Sequence, residues 1–190
     1  SEKGGDVVSY EGPQFYDNAD VFQTYLQHRQ RPDNPNDTLE KPIILALLGP
    51  VRGVHLLDLG CGDAALGTAL LEQGATSYLG LDGSCNMVAR AHQTLAGTVG
   101  RVMQADIRSW TYPPNTFDCV LSRLALHYIA DVDAVFQHVF QTLRPTGRFV
   151  FSVEHPVITS CDRAWQAGGA RQEWIVDDYF DSRRRVTHWL

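Results

Sequence analysis

At positions 56–65 the chain reads Leu56-Leu57-Asp58-Leu59-Gly60-Cys61-Gly62-Asp63-Ala64-Ala65, a short apolar run followed by two closely spaced glycines. Such a run is typical of a parallel strand that is covered on both faces. The glycines, Gly60 and Gly62, permit a sharp turn and let the backbone approach a ligand closely. The stretch therefore predicts a buried strand, a tight turn and the start of a helix, an arrangement that binds nucleotides.

Two carboxylates in this stretch indicate which kind of nucleotide the turn holds. Its glycines also fit the dinucleotide-binding pattern G-x-G-x-x-G/A. Asp58 and Asp63, however, would repel a pyrophosphate at the start of the helix, whereas they would favour a ligand with an ammonium or sulfonium group. The pattern therefore favours a cationic nucleoside. In the alternative interpretation, Asp58 simply ends a strand and Asp63 caps the following helix.

Two further apolar segments end in an acid at equal distances along the chain. Residues 77–82 end at Asp82, where a βαβ unit places a carboxylate near ribose hydroxyls. Residues 102–106 end at Asp106. Because parallel strands end at the same edge of a sheet, the three acids are expected in a row along that edge.

In this order of motifs, residues 39–154 resemble the class I, Rossmann-like S-adenosylmethionine-dependent methyltransferases, in particular those that act on small molecules. The resemblance implies that Asp82 holds both ribose hydroxyls, and that Asp106 accepts from the adenine amino group with Ile107 against the ring. The cofactor-binding set that it implies is Asp58, Gly60, Cys61, Gly62, Asp82, Gly83, Met87, Ala105, Asp106, Ile107, Ser122 and Arg123. Many members carry a third glycine where this chain has Ala64, a residue that suits the first turn of a helix.

Strand and helix patterns alternate along the rest of the chain. Helices are expected over 64–73, over 84–96 and from Asp131 or Asp133 to the sequence Pro145-Thr146-Gly147, and a strand over 148–153. This alternation predicts an α/β fold, a three-layer αβα sandwich with a mostly parallel, doubly wound sheet of order 3-2-1-4-5.

The C-terminal strands are expected to be incomplete. Alternating aromatic and polar residues over 172–180 and 184–190 predict a hairpin, and the residues after Glu154 leave hardly any room for the further helix and antiparallel pair that the family usually has. The domain is thus expected to be truncated at its C-terminus, with the fifth strand as an exposed edge that favours self-association.

The chain divides into an N-terminal helical extension, 1–50, and a methyltransferase domain, 51–190. Residues 21–29 have apolar residues at helical spacing, and a second helix is expected over about 38–48. In the family such an extension commonly lies over the cofactor and the substrate, which makes Tyr16, Tyr25 and Arg29 candidates for a lid. Alternatively, Tyr25 is a core-facing aromatic.

The candidates for acceptor chemistry follow the fourth and fifth strands. His155 lies before Pro156 at the end of a strand, where an imidazole is placed for proton transfer. Glu154 would assist it, His127 is the second candidate, and Arg123 would orient a polar or anionic acceptor. The alternative interpretation is that His127 is a satisfied residue in the first turn of a helix.

Composition restricts the partners. A net charge of −6 with one short basic run, 183–185, disfavours a nucleic-acid substrate. The four cysteines form no C-x-x-C pair, which favours reduced thiols in a cytoplasm and implies no metal site. No long apolar stretch indicates a membrane span.

The expected reaction transfers a methyl group from S-adenosylmethionine to an oxygen, nitrogen or carbon of a small molecule and leaves S-adenosylhomocysteine. The alternatives are an NAD(P)-dependent oxidoreductase and a non-catalytic S-adenosylmethionine-binding module. The acceptor and its reacting atom stay open at this point.

Overall fold

The computed structural model describes residues 12–29, 34–161, 175–183 and 185. The chain divides into two units, 1–152 and 153–190. The first unit contains the sheet and the helices packed on it. The described part of the second unit contains a short 3-10 helix, Pro156–Thr159.

A five-stranded sheet forms the centre of the first unit, and all of its neighbouring strands are parallel. The strands are β1 (His55–Leu59), β2 (Ser77–Asp82), β3 (Arg101–Gln104), β4 (Phe117–Arg123) and β5 (Leu143–Ser152). Their order is β3-β2-β1-β4-β5, which confirms the predicted order. The order reverses between β1 and β4, and ligands of open α/β sheets bind at this kind of switch point, beyond the carboxyl ends of the strands.

The helices are α1 (Ala19–Arg29), α2 (Lys41–Leu48), α3 (Ala65–Glu72), α4 (Cys85–Thr94) and α5 (Val132–Thr142). Shorter turns are the 3-10 helices Gly12–Asp17 and Leu126–Tyr128 and the π-helical turn Asn36–Glu40. Side chains cap two of the helices as predicted: Ser84 Oγ accepts from the backbone N–H of Met87, and Asp131 Oδ1 from that of Ala134. No helix in the described ranges is both long and apolar enough to cross a membrane.

Helices cover both faces of the sheet because neighbouring strand residues point in opposite directions. Leu56 packs in one core with side chains of α2, α3 and α4, whereas Leu57 packs in a second core with Val135 and Val139 of α5. Burying one leucine side chain completely stabilises the folded state by about 1.5–3 kcal/mol relative to leaving it exposed. This arrangement confirms the three-layer sandwich and explains why β1 is apolar on both faces.

Two sequence predictions of element positions need correction. β5 begins at Leu143 rather than at position 148, because Phe117 already pairs with Leu143 and the register then shifts before Cys119 pairs with Arg148. This irregularity accommodates Pro145 within the edge strand. The predicted hairpin lies partly on residues outside those described, and the described residues 175–183 contain a turn and no strand.

Candidate cofactor-binding site

The turn after β1 is attached to the end of β2. The backbone N–H groups of Gly60 and Cys61 donate to the carbonyl of Leu81 at 2.8 and 3.0 Å. Gly60 has φ +75°, and a Cβ at this position would lie 2.5 Å from Cβ of Ala125. The turn therefore requires glycine here both for its backbone angle and for its close approach to the segment after β4.

The structure corrects the expectation for Ala64. This residue precedes α3 with φ +57°, in the left-handed region rather than in a helical first turn. An L-residue in that region costs about 1–2 kcal/mol, so the glycine that other members carry would suit the position better. Asp63 Oδ1 accepts from the N–H of Ala65 at 3.2 Å, which gives partial support to the capping alternative for Asp63.

Asp82 lies at the carboxyl end of β2 and is fixed by two backbone groups. Its Oδ2 accepts from the N–H of Gly62, and its Oδ1 from the N–H of Ser84, each at 2.9 Å. Burial raises the pKa of this carboxyl, and the two hydrogen bonds oppose that effect. Since a carboxylate has about four acceptor positions, Asp82 retains the capacity to accept from a pair of hydroxyls.

Asp58 is the most deeply buried acid of the edge, with 4% of its surface exposed. Its Oδ2 accepts from the hydroxyl of Tyr78 at 2.7 Å. Burial raises the pKa of the Asp58 carboxyl to about 6, whereas the Tyr78 hydrogen bond and the positive charge of Arg123 lower it. At neutral pH this buried group is mainly a carboxylate.

Asp106 follows β3 on the surface. Its carboxylate accepts from Nε of Arg108 at 2.9 and 3.0 Å and from a second guanidinium nitrogen at 2.6 Å. These bonds lower the pKa of Asp106. Ile107 packs against the core on the α5 side, and its carbonyl accepts from the hydroxyl of Tyr112. Ala105 donates its N–H to the carbonyl of Asp82, which ties this segment to β2.

The segment Gly12–Asp17 docks on the start of α4. Asp17 Oδ1 accepts from Oγ of Ser84 at 2.7 Å, and the carbonyl of Tyr16 accepts from Nδ2 of Asn86 at 3.0 Å. A Cβ at Gly83 would lie 2.5 Å from Cγ of Pro13. The N-terminal extension therefore lies directly beside Gly83, at the edge where Asp82 ends β2.

The part of the chain that contains this edge of the sheet matches a known protein family. The family described as a methyltransferase domain matches residues 57–151, which include the turn, Asp82 and Asp106. The chain belongs to this family. The motif residues from which the methyltransferase resemblance was predicted, such as Asp82 and Asp106, lie within this match.

An S-adenosylmethionine-dependent methyltransferase from Mesorhizobium loti, known from a crystal structure, has 39% sequence identity to this chain over the matched region. The two structures superpose with a TM-score of 0.68. That match covers 74% of this chain and 65% of the other. A protein from Haemophilus influenzae is 30% identical over an alignment of 186 residues, and the match covers 92% of this chain and 73% of that protein. By family the chain is a methyltransferase domain, and its fold is that of the class I S-adenosylmethionine-dependent methyltransferases.

Two relatives have names that state a reaction. Phosphoethanolamine N-methyltransferase of Triticum aestivum is 35% identical over 111 residues, and the ubiquinone/menaquinone biosynthesis C-methyltransferase UbiE of Serratia proteamaculans is 29% identical over 126 residues. The matches cover 56% and 63% of this chain. The chain spans 21% and 50% of the lengths of these two relatives.

Ser122 and Arg123 of the methyltransferase domain are both engaged in contacts within the protein. Ser122 is fully buried and donates to the carbonyl of Leu59 at 2.8 Å, which joins β4 to β1. Arg123 forms an ion pair with Glu40, with Nε 2.9 Å from Oε2, and also donates to the carbonyl of Asn36. The predicted role of Arg123 in orienting an acceptor would therefore have to coexist with this pair.

Two other predicted cofactor residues, Met87 and Cys61, lie on α4 and in the turn. Met87 is buried on α4, next to the cap formed by Ser84. Cys61 is half-buried, and a Cβ at Gly80 would lie 2.6 Å from its Sγ. Burial raises the pKa of the Cys61 thiol, so this cysteine is neutral at physiological pH.

The candidate catalytic residues belong to different units. His127 lies half-buried in the 3-10 helix before α5, with its ring centroid 4.3 Å from that of Tyr128, and burial lowers its pKa to about 4. His155 belongs to the second unit, where its Nδ1 accepts from the N–H of Val157 at 3.3 Å. Glu154, in the same unit, has a pKa that burial raises.

The lid candidates have distinct environments. Tyr16 is edge-on to Tyr25, with ring centroids 5.0 Å apart, and its pKa is raised by burial and by neighbouring Tyr128. Tyr25 thus packs against a residue of the extension, and the side chain of Arg29 lies outside the described residues.

Sequence reasoning missed three residues that hold the edge together: Asp17, Glu40 and Tyr78. Of the three, only Tyr78 could have been found from the sequence. It is a large side chain with a hydroxyl in an otherwise apolar strand, and such a hydroxyl usually has a hydrogen-bond partner when it is buried. The other two act across long sequence separations, for which the sequence offers no local pattern. Among the described residues, no group of three or more potential ligands is arranged to hold a metal ion.

Proposed function

We propose that this chain binds S-adenosylmethionine at the carboxyl edge of β1, β2 and β3 and transfers its methyl group to a small-molecule acceptor. The observation that carries the proposal is the fixed carboxylate of Asp82, which the turn and the start of α4 hold through two backbone N–H groups. The order of the motifs and the family match support the assignment of this edge to the cofactor.

The residues of the edge fit this cofactor better than a dinucleotide. Asp17, Asp58, Asp63 and Asp82 bring several carboxyl groups to the region where a pyrophosphate would otherwise lie. Negative charge there favours a sulfonium and an ammonium group and opposes phosphates. This charge distribution argues against the oxidoreductase alternative.

The cofactor itself supplies the reactive chemistry, a methyl group activated by a sulfonium. The residues of the chain then have to align the acceptor and exclude water. Orientation of this kind is worth about 7–11 kcal/mol in favourable cases, whereas a general base adds about 10²–10⁴-fold in rate. We therefore expect positioning to contribute more than proton transfer.

Three residues are proposed for acceptor binding or deprotonation. His127 is neutral at pH 7 because burial lowers its pKa, so it can accept a proton, although with little driving force. The His155 ring accepts a backbone hydrogen bond at Nδ1, which leaves Nε2 for a donor role in the neutral form. Glu154 is proposed to assist His155.

A small-molecule acceptor is supported by the relatives. The wheat relative is named for N-methylation of phosphoethanolamine and the Serratia relative for C-methylation in quinone biosynthesis. Their names share a small acceptor and differ in the reacting atom. The net charge of −6 adds an argument against nucleic acid.

Three finer proposals concern the surroundings of the site. The extension 1–50 is proposed to act as a lid, supported by the docking of Gly12–Asp17 on α4. A cytoplasmic location is supported by four free cysteines. Self-association is supported by the position of β5 at an edge of the described sheet, where Phe151 is exposed.

The proposed activity is tested with pooled small metabolites and S-adenosylmethionine labelled with ¹³C in its methyl group. The expected result is a mass-shifted product that forms together with S-adenosylhomocysteine. Asp82→Ala serves as the control, since it should weaken cofactor binding and so reduce the label transfer. Binding of the cofactor without any labelled product in successive pools would instead support the non-catalytic module.

A further inference from the structure

Tyr78 is a buried tyrosine on β2, the strand that ends at Asp82. It is 1% exposed and packs in the core on the α3 side. Its ring occupies space left by two glycines: a Cβ would lie 2.5 Å from Cε1 of Tyr78 if built at Gly67, and 3.3 Å from it if built at Gly80. The first distance would force the ring to move, and the second would crowd it. The two glycines thus admit a large side chain at this position.

The hydroxyl of this buried ring reaches the neighbouring strand. In the register of the sheet, Tyr78 pairs with Leu56 and Asp58 pairs with Gly80. The Tyr78 hydroxyl therefore reaches two residue pairs along the strands to donate to Oδ2 of Asp58 at 2.7 Å. A carboxylate that is 4% exposed needs such a donor, because burying an unpartnered charge is unfavourable.

We infer that Tyr78 is a positioning residue for the cofactor: its hydroxyl holds Asp58 in the orientation, and in the anionic form, that binds the ammonium group of S-adenosylmethionine. This inference rests on the proposed function, and it assigns a task to a residue that itself touches no ligand. The bond engages Oδ2 and restricts the rotation of the carboxylate. Acceptor capacity then remains for a cationic group at the strand end.

The charges around Asp58 determine the direction of the effect. Burial raises its pKa to about 6; Tyr78 and Arg123 lower it, whereas Asp82 and Glu40 raise it. The titratable groups that interact with Asp58 or Tyr78 from the neighbouring elements are Cys61, Asp63, Asp82, Cys119, Glu40 and Arg123. Removing the Tyr78 hydroxyl deletes a contribution that lowers the pKa, so the pKa of Asp58 should rise further.

The test is Tyr78→Phe, which keeps the ring and removes only the hydroxyl. ¹³C NMR of aspartate carboxyl groups in the ligand-free protein should show the Asp58 midpoint about one pH unit higher than in the wild type, equivalent to a tenfold change in proton affinity. Calorimetric titration with S-adenosylhomocysteine, which retains the ammonium group, should then show affinity about fivefold weaker than wild type at pH 6 and within about twofold at pH 8.

Tyr112→Phe is the matched control, because it also removes a tyrosine hydroxyl, which here belongs to a half-buried ring and donates to the carbonyl of Ile107. It should leave the Asp58 midpoint unchanged. Asp58→Asn provides a second variant, which should remove the pH dependence of affinity around pH 6 and covers the case that Tyr78→Phe does not fold.

The inference is overturned by a Tyr78→Phe protein with the wild-type Asp58 midpoint and the wild-type pH dependence of affinity. It is equally overturned by an Asp58→Asn protein that keeps that pH dependence. A wild-type protein that binds S-adenosylhomocysteine at no pH would contradict the proposed function instead, and the NMR midpoint would still report on the Tyr78 hydroxyl separately.

Discussion

The glycine at position 60 offers a direct test of how the cofactor turn is held. Gly60→Ala introduces a Cβ at φ +75° and 2.5 Å from Cβ of Ala125. The backbone angle alone costs an L-residue about 1–2 kcal/mol. Forcing an extra carbon into a packed region adds about 1–3 kcal/mol. We therefore expect Gly60→Ala to lower the free energy of unfolding by about 2–5 kcal/mol.

A second glycine separates the two contributions. Gly53 has φ +80°, but a Cβ there would meet nothing within 4 Å. Gly53→Ala should therefore lose only the backbone contribution of about 1–2 kcal/mol. The excess loss in Gly60→Ala measures the contact with Ala125.

The assay is urea denaturation followed by circular dichroism, with linear extrapolation to water. Ala125→Gly in the Gly60→Ala background removes the opposing Cβ and should restore about 1–3 kcal/mol. The same double variant should recover part of the cofactor affinity that Gly60→Ala loses. Equal losses in Gly60→Ala and Gly53→Ala, or no recovery on Ala125→Gly, would refute the close approach of the turn to this segment.

Three further predictions concern titratable side chains of the first unit. Glu40→Gln should lower the free energy of unfolding by about 3 kcal/mol in urea denaturation, because it leaves Arg123 charged in a pair whose side chains are only 15% and 18% exposed; the double variant with Arg123→Met should lose less than the sum of the single changes. Asp82→Ala should weaken S-adenosylhomocysteine binding about 10–100-fold by calorimetry, since charge-assisted hydrogen bonds contribute about 1.5–3 kcal/mol, and wild-type affinity would contradict the ribose assignment. In the folded protein the pKa of His127 is lowered to about 4, below its usual 6.5, so the unfolded chain binds more protons and the free energy of unfolding falls as the pH drops from about 6.5 to 4. A His127→Gln protein should show a smaller fall. A variant whose stability depends on pH as the wild type does would argue against a buried neutral ring.

The elements of the fold could be predicted because their signals are local. The apolar run before Gly60 and the cap at Ser84 each use a few adjacent residues, and both appear in the structure as expected. The predicted start of β5 was wrong, because the start depends on which residue of β4 pairs with Leu143. A register between strands is not encoded within either strand alone.

The site was predictable in its acids but not in the contacts of those acids. Spacing indicated that Asp58 and Asp82 would lie at one edge, where the structure has them. It gave no indication that Tyr78 would reach Asp58, since that contact depends on the space at Gly67 in another helix. The Arg123–Glu40 pair joins residues far apart in the chain, so it also required the folded structure.

Isothermal calorimetry of the wild-type protein with S-adenosylmethionine, and separately with NAD and NADH, tests the central claim most directly. The acids at the carboxyl edge predict that the sulfonium cofactor binds at one site per chain and that neither dinucleotide competes with it. Binding should weaken as the pH falls through about 6, where Asp58 becomes protonated. Binding of NAD or NADH in preference to S-adenosylmethionine, or no binding of S-adenosylmethionine at any pH, would contradict the account.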